Sequence, residues 1–145
     1  MPNFSRTVTV SSDIDSAFGF LSDFRNLEKW AEGDEGELIT KEPLRQGSVF
    51  KVKTHFNNKP REYDYEIIEW GPPLRVSLQA STSIFTIVDT IFLSANSKGT
   101  EVTYSVDINY KFPFFIIGIF VGIIFNKIMD KQIKNLEAVL GPVQD

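Results

Sequence analysis

The spacing of apolar and polar residues changes period twice along this chain. Residues 4–10 alternate and are rich in Thr and Val, which predicts a strand. Ser11-Ser12-Asp13-Ile14-Asp15 then reads as a helix start. Ser12 is the predicted cap, and Asp15 stands three residues on, where a capping box carries a longer acid. Asp13 and Asp15 also suit the positive end of a helix. Ile14, Ala17, Phe18 and Leu21 recur at helical spacing, and a second short helix is expected over 24–30. Residues 31–36 are acidic and contain Gly, so they read as a loop.

Beyond the loop, period two returns. Strands are expected over 36–41, 48–57, 61–70, 74–81, 84–94 and 100–111. Asn57-Asn58-Lys59-Pro60, Gly71-Pro72-Pro73 and Ala95-Asn96-Ser97-Lys98-Gly99 supply turns. The last strand alternates most cleanly. Val102, Tyr104, Val106, Ile108 and Tyr110 share one face, and Glu101, Thr103, Ser105, Asp107 and Asn109 share the other. Residues 113–140 read as one long helix, or as two joined end to end. The order is therefore strand, two helices, six strands, long helix. Short turns imply an antiparallel sheet, and one wet face implies helices on the other face only, an α+β architecture. No repeat or linker divides the chain, so 1–145 is expected to be a single domain.

Two segments break the simple pattern. The first is Phe85-Thr86-Ile87-Val88-Asp89-Thr90-Ile91-Phe92-Leu93, which is largely apolar in both phases. If Ile87, Ile91 and Leu93 point inward, so does Asp89. If Thr86, Val88, Thr90 and Phe92 point inward, Asp89 is wet; this second register is taken as the default. An inward Asp89 would carry a raised pKa and would serve as an acid or a ligand anchor.

The second is Phe112 to Phe125, fourteen residues without a charge. As a helix it spans about 21 Å, short of the roughly 30 Å of a bilayer core, so it is not expected to cross a membrane. On a helical wheel, Leu140, Leu136, Ile133 and Met129 form a core stripe that runs back through Phe125, Gly122, Gly118 and Phe115. The two glycines then allow close approach to the sheet or leave room for a ligand. The opposite face carries Ile116, Ile117, Phe120, Ile123 and Ile124, followed on the same side by Lys127, Lys131 and Lys134. Leaving those five apolar side chains wet forgoes on the order of 7–15 kcal/mol of burial. A loop, a second copy of the chain in a homodimer, or a membrane surface contacted peripherally are the candidate covers; apolar residues beside a row of Lys suit a membrane interface. If the helix breaks near Gly118 or Gly122, part of this set lines a cavity mouth instead.

Composition narrows the chemistry. The chain has 145 residues, a net charge of −4, thirteen Phe, no Cys and one His. No basic patch dominates, so nucleic acid is not an expected partner. Lacking Cys and with a single His, the chain is expected to hold no metal, and no motif calls for a cofactor. His55 shares a face with Lys51, Lys53 and Asn57, opposite Phe50, Val52, Thr54 and Phe56, and is expected to face solvent. Glu62, Asp64 and Glu66 alternate with Tyr63, Tyr65 and Ile67, a solvated row rather than a catalytic pair. The first residues lack the pattern of a secretory signal, and the absence of Cys fits a reducing compartment; a cytoplasmic location, with membrane association through the last helix as the variant, is the expectation.

Several local words, in order, resemble the START-like superfamily, also called polyketide cyclase/dehydrase and lipid transport or SRPBCC. They are Val8 to Asp13, Ala17-Phe18 to Asp23 leading to Trp30, Glu42-Pro43 with Gly47, Glu69 to Leu74 with its two prolines, and Gly99-Thr100-Glu101-Val102-Thr103. The resemblance spans nearly the whole length. It implies a helix-grip fold: a curved seven-stranded antiparallel sheet around a long C-terminal helix, in the order β-α-α-β6-α. It also implies a cavity for a hydrophobic ligand, but no one reaction. Joined to the strand faces above, it makes Phe50, Val52, Phe56, Tyr63, Tyr65, Leu78, Tyr104, Val106, Ile108, Phe115, Gly118 and Gly122 the expected lining. Binding or transport of a lipid or polyketide-like molecule is the leading expectation. A cyclase or dehydratase using an inward Asp89 or Tyr is the second, and an interaction module working through the outer face of the last helix is the third.

Overall fold

A computed structural model of the chain describes residues 3–56 and 59–143. Strand β1 (Asn3–Val10) leads into α1 (Ile14–Leu21) and a 3₁₀ helix (Phe24–Lys29). Six strands follow: β2 (Glu35–Leu38), β3 (Val49–Phe56), β4 (Lys59–Gly71), β5 (Arg75–Ser81), β6 (Phe85–Asn96) and β7 (Gly99–Tyr110). A short 3₁₀ turn (Phe114–Ile116) opens α2 (Ile117–Leu140). The seven strands form one sheet in the order β1-β7-β6-β5-β4-β3-β2, with every pairing antiparallel. The expected α+β helix-grip is thus the observed one. Each consecutive strand from β2 to β7 pairs with the next, and β1 crosses over to close on β7.

Helix α1 is capped by Asp13 rather than Ser12: the Ser16 N–H donates to Asp13 Oδ1 at 2.9 Å. Ser12 is drawn elsewhere, its hydroxyl donating to the Leu140 carbonyl at 2.6 Å. That bond joins two backbone bonds, Ser11 N–H to Gly141 O and Ser12 N–H to Leu140 O. Together they pin the end of α2 to the first loop. Gly141 is required there, since its φ is +97° and a Cβ would lie 2.1 Å from Ser11 Oγ.

The core lies between the sheet's inner face and the helices. Phe18 and Leu21 of α1, Phe24 and Leu27 of the 3₁₀ helix, and Met129, Leu136 and Leu140 of α2 are buried against it. On β7 the predicted apolar face is the inner one, with Val102, Tyr104, Val106 and Ile108 all buried. On β6 the default register is overturned. Ile87, Asp89, Ile91 and Leu93 point inward, because β6 pairs with β5 and β7 so that Asp89 faces Leu78 and Val106.

Candidate ligand-binding site

The helices do not fill the space above the sheet. A cavity of about 600 Å³ remains between the first half of α2 and the strands. Val52 and Thr54 of β3, Tyr63 and Tyr65 of β4, Phe85, Ile87 and Asp89 of β6, and Tyr104, Ile108 and Tyr110 of β7 line its sheet side. Phe24 and Leu27 close one end. Its roof is a stripe of α2, Ile117, Val121, Phe125, Ile128 and Gln132, at spacings of three and four that keep one helical face toward the void. The exposed members of the lining, Glu32, His55, Arg61, Ser83 and Ile117, mark its rim.

Of the residues expected to line a cavity, Val52, Tyr63, Tyr65, Tyr104 and Ile108 do so. Phe50, Leu78 and Val106 point inward but fill the solid part of the core. The Phe50 ring, for instance, packs 5.8 Å from that of Phe24. Gly118 and Gly122 face neighbouring rings rather than the void: a Cβ on Gly118 would lie 2.7 Å from the Tyr110 ring, and one on Gly122 would lie 3.7 Å from Phe4. Phe115 is exposed because the 3₁₀ turn at 114–116 breaks the helical phase on which its placement depended. The side chain of Phe56, and Asn57, lie outside the described residues. Sequence reasoning missed Asp34, Val121, Ile128 and Gln132. The i, i+4 and i, i+3 spacing of the α2 stripe was the available signal for the helical three. Nothing in the acidic loop singles out Asp34 from Glu32 or Glu35.

The polar groups in this cavity are few and close-set. Tyr104 donates its hydroxyl to Asp89 Oδ2 at 2.9 Å, and its ring stands edge-on to Trp30 at 5.2 Å. Asp89 is 6% exposed, and its other oxygen, Oδ1, is buried without a partner. Burial pushes the Asp89 carboxyl up to about 7; the Asp34 carboxyl adds to this, and the Tyr104 bond opposes it. Burial likewise lifts Asp34 to about 7, against the pull of His55. Tyr65 and Tyr104 are held well above the usual phenol range by burial first and by Asp89 second. His55 itself is exposed, as its strand face requires, and bonds the Gly33 carbonyl through Nδ1 at 3.2 Å. That contact holds the loop bearing Asp34 against β3. Near neutral pH the Asp89–Tyr104 pair can hold or release a proton inside an apolar chamber. The described residues contain no group of three or more His, Cys, Asp or Glu placed to hold a metal.

The outer face of α2 is as exposed as its sequence predicts. Ile116, Phe120, Ile123 and Ile124 stand out, Phe120 at 68% exposure, and Phe112 and Phe115 extend the patch, whereas Ile117, expected on this face, is exposed at the cavity rim on the roof stripe. Lys127, Lys131 and Lys134 follow on the same side, and Lys131 pairs with Glu32 on the cavity rim at 2.5 Å. Among the described residues no helix is long and apolar enough to cross a membrane.

A START superfamily protein from Mycobacterium smegmatis superposes with a TM-score of 0.79, at 13% identity over 95% of this chain and 96% of that one. A protein from Thermus thermophilus gives 0.76 at 15% identity, over 94% of this chain and 95% of that one. One from Chromobacterium violaceum gives 0.71 at 16% identity, over 98% and 99%. At such identities the likeness is one of fold. Among curated proteins, none matches the sequence. The model of the family described as polyketide cyclase / dehydrase and lipid transport matches residues 1–141, and the chain belongs to that family.

Proposed function

We propose that this protein binds, and hands on, a small hydrophobic molecule of lipid or polyketide-like character in the cavity beneath α2. One observation carries the reading: a cavity of about 600 Å³, open at its rim and walled mainly by aliphatic and aromatic side chains with a few polar groups among them. Pockets for small molecules run to roughly 300–1,000 Å³ and share that makeup. The family's hydrophobic-ligand character supports it. Native mass spectrometry and solvent extraction of the purified protein should reveal a bound apolar molecule, and an environment-sensitive dye should compete with it. Ile108→Trp, which fills the chamber, should weaken dye binding by roughly tenfold or more. A native protein that carries nothing, and binds the dye no better than the Ile108→Trp variant, rules the reading out.

The exposed face of α2 favours a second element, contact with an anionic lipid surface at the cavity rim. Six large apolar side chains from Phe112 to Ile124 stand out there, and Ile117 is exposed at the cavity rim. At 1.5 Å per residue, Lys127 lies about 10 Å and Lys134 about 21 Å along the helix from Phe120. A helix entering the interface at a tilt therefore immerses its first two turns and leaves the lysines at headgroup level, the arrangement expected of interfacial helices. The protein should float with anionic vesicles more than with neutral ones. Recovery of all the protein in the soluble fraction in both cases excludes it.

A further inference from the structure

The polar groups that line the cavity define the ligand more narrowly than its apolar walls do. Three residues that carry acceptor oxygens line the cavity: Asp34, Asp89 and, from the roof, Gln132. Two of their oxygens, Asp89 Oδ1 and Gln132 Oε1, are buried with no hydrogen-bond partner. The Tyr104 hydroxyl is committed to Asp89 Oδ2, and the Trp30 indole N–H, also buried without a partner, lies beside Tyr104 outside the lining. Among the described residues no cation makes an ion pair with Asp34 or Asp89, whereas Glu32 on the rim has Lys131. A hydrocarbon in this cavity would leave Asp89 Oδ1 unpaired and Asp89 without a counter-charge. A carbonyl or ether oxygen would bring neither a donor for Asp89 Oδ1 nor a positive charge. A hydroxyl would bring one donor. An ammonium group brings three donors and the missing charge, and the rings of Tyr65 and Tyr104 beside it offer faces that attract a cation.

We propose that the cavity selects amphiphiles whose polar end is a protonated amine, with Asp89 as its main anchor and Asp34 and Gln132 completing the cradle. The proposal rests on the hydrophobic-cavity reading and narrows it to a ligand class. The remaining titratable or charged groups around the cavity are Glu32 from the loop, His55 of β3, Arg61, Tyr63 and Tyr65 of β4, and Tyr104 and Tyr110 of β7. Glu32 and Arg61 sit on the exposed rim and His55 faces outward, so the buried carboxyls dominate the field inside the cavity. Binding of a cation favours the carboxylate form of Asp89. Amine affinity should therefore rise as pH climbs through about 7 and level off until the amine itself loses its proton near about 10.

The test compares decylamine, 1-decanol and decanoic acid, three probes of one chain length, by calorimetric titration of the whole protein. Decylamine should bind at least roughly tenfold tighter than the alcohol at about pH 8, with the advantage shrinking towards about pH 6. Asp89→Asn should erase that advantage, and a circular dichroism spectrum matching that of the native protein shows that the variant keeps its fold. If decanol or decanoic acid binds as tightly as decylamine to the native protein, or if Asp89→Asn leaves the amine preference intact, the amine assignment is wrong and the hydrophobic-cavity reading survives. If none of the three binds, that broader reading falls too.

Discussion

The two halves of α2 invert the usual relation between composition and burial. Its first half, Ile117 to Ile128, is almost wholly apolar, yet it exposes Phe120 at 68% and Ile123 at 65%. Its second half carries four charged residues from Asp130 to Glu137, yet Met129 and Leu136 are completely buried. The difference follows from what lies beneath. The second half rests on a solid core, and its end is tied to the Ser11–Ser12 loop by three hydrogen bonds. The first half spans a cavity, so its inner face has few neighbours and its outer face has none from the described chain. Among the described residues no helix is long and apolar enough to cross a bilayer, so this apolar face stands open rather than spanning one. One half anchors and the other roofs.

The strongest way to break that contrast is to truncate one side chain in each half. Leu136→Ala should cost about 2–5 kcal/mol, because it opens a void in a packed interior. Phe120→Ala should change stability by no more than about 0.5 kcal/mol, since most of the ring is already in water. Urea denaturation of both variants measures the pair. Similar losses for the two would mean that the roof is packed after all.

Asp89, beneath the roof, tests whether the open half is kept open at a cost. Its carboxyl titrates near the ordinary 3.8 in the unfolded chain and at about 7 in the folded one. The folded state therefore holds the proton more tightly, and stability is lost as pH rises between those values. Above about pH 7 the loss is complete, on the order of 4 kcal/mol. Asp89→Asn removes the ionisation, so the variant should be the more stable protein at about pH 8 and match the native one below about pH 4. Chemical denaturation across that window checks it; a difference that does not vary with pH would mean that Asp89 is solvated.

Much of the architecture could be read from alternation, because most strands, β7 above all, and the helices carry a period that only one face satisfies. Asp89 could not be placed that way. Thr90, on the other phase of β6, is also buried and bonds Ser77 across β5 at 3.0 Å, so both phases look apolar and only cross-strand pairing fixes the register. The cavity was harder still. Phe50 and Val52 share one phase of β3, and Val106 and Ile108 share one phase of β7, yet in each pair only the second meets the void. Which of them does so depends on where α2 and the 3₁₀ helix come to rest, a long-range outcome that alternation does not encode. Phe115 was misplaced for a local reason: the 3₁₀ turn after Pro113 puts it out of step with the wheel.

The glycines of the roof sharpen the contrast more finely. Ala in place of Gly inside a helix is worth up to about 1 kcal/mol. At Gly122 the added methyl would meet Phe4 at 3.7 Å, an ordinary contact, so Gly122→Ala should stabilise by about 0.5–1 kcal/mol. At Gly118 it would meet two Tyr110 ring atoms at 2.7 and 2.9 Å and push that ring against the cavity and Phe85. Gly118→Ala should therefore gain nothing, and it should weaken binding of an apolar dye. Equal stabilisation by both, with dye binding unchanged, would show that Tyr110 swings freely and that the roof is looser than its contacts imply.

Phe120→Glu should produce the smallest change in folding and the clearest change in behaviour. The site is exposed, so a carboxylate there meets water, and the melting midpoint should stay within the shift expected of about 0.5 kcal/mol. On an anionic vesicle the same carboxylate must enter the apolar interface and face like charge. Flotation should then fall to the level seen with neutral vesicles. Lys131→Glu, farther along the same face, should lower flotation less, because a lysine at headgroup level contributes charge but little apolar area. It also breaks the Glu32 pair at the cavity rim, so its effect on dye binding must be read alongside. A Phe120→Glu protein that floats as well as the native one would leave the outer face of the roof to a protein partner, most simply a second copy of this chain, and sedimentation of the same two proteins would show whether the substitution splits a dimer.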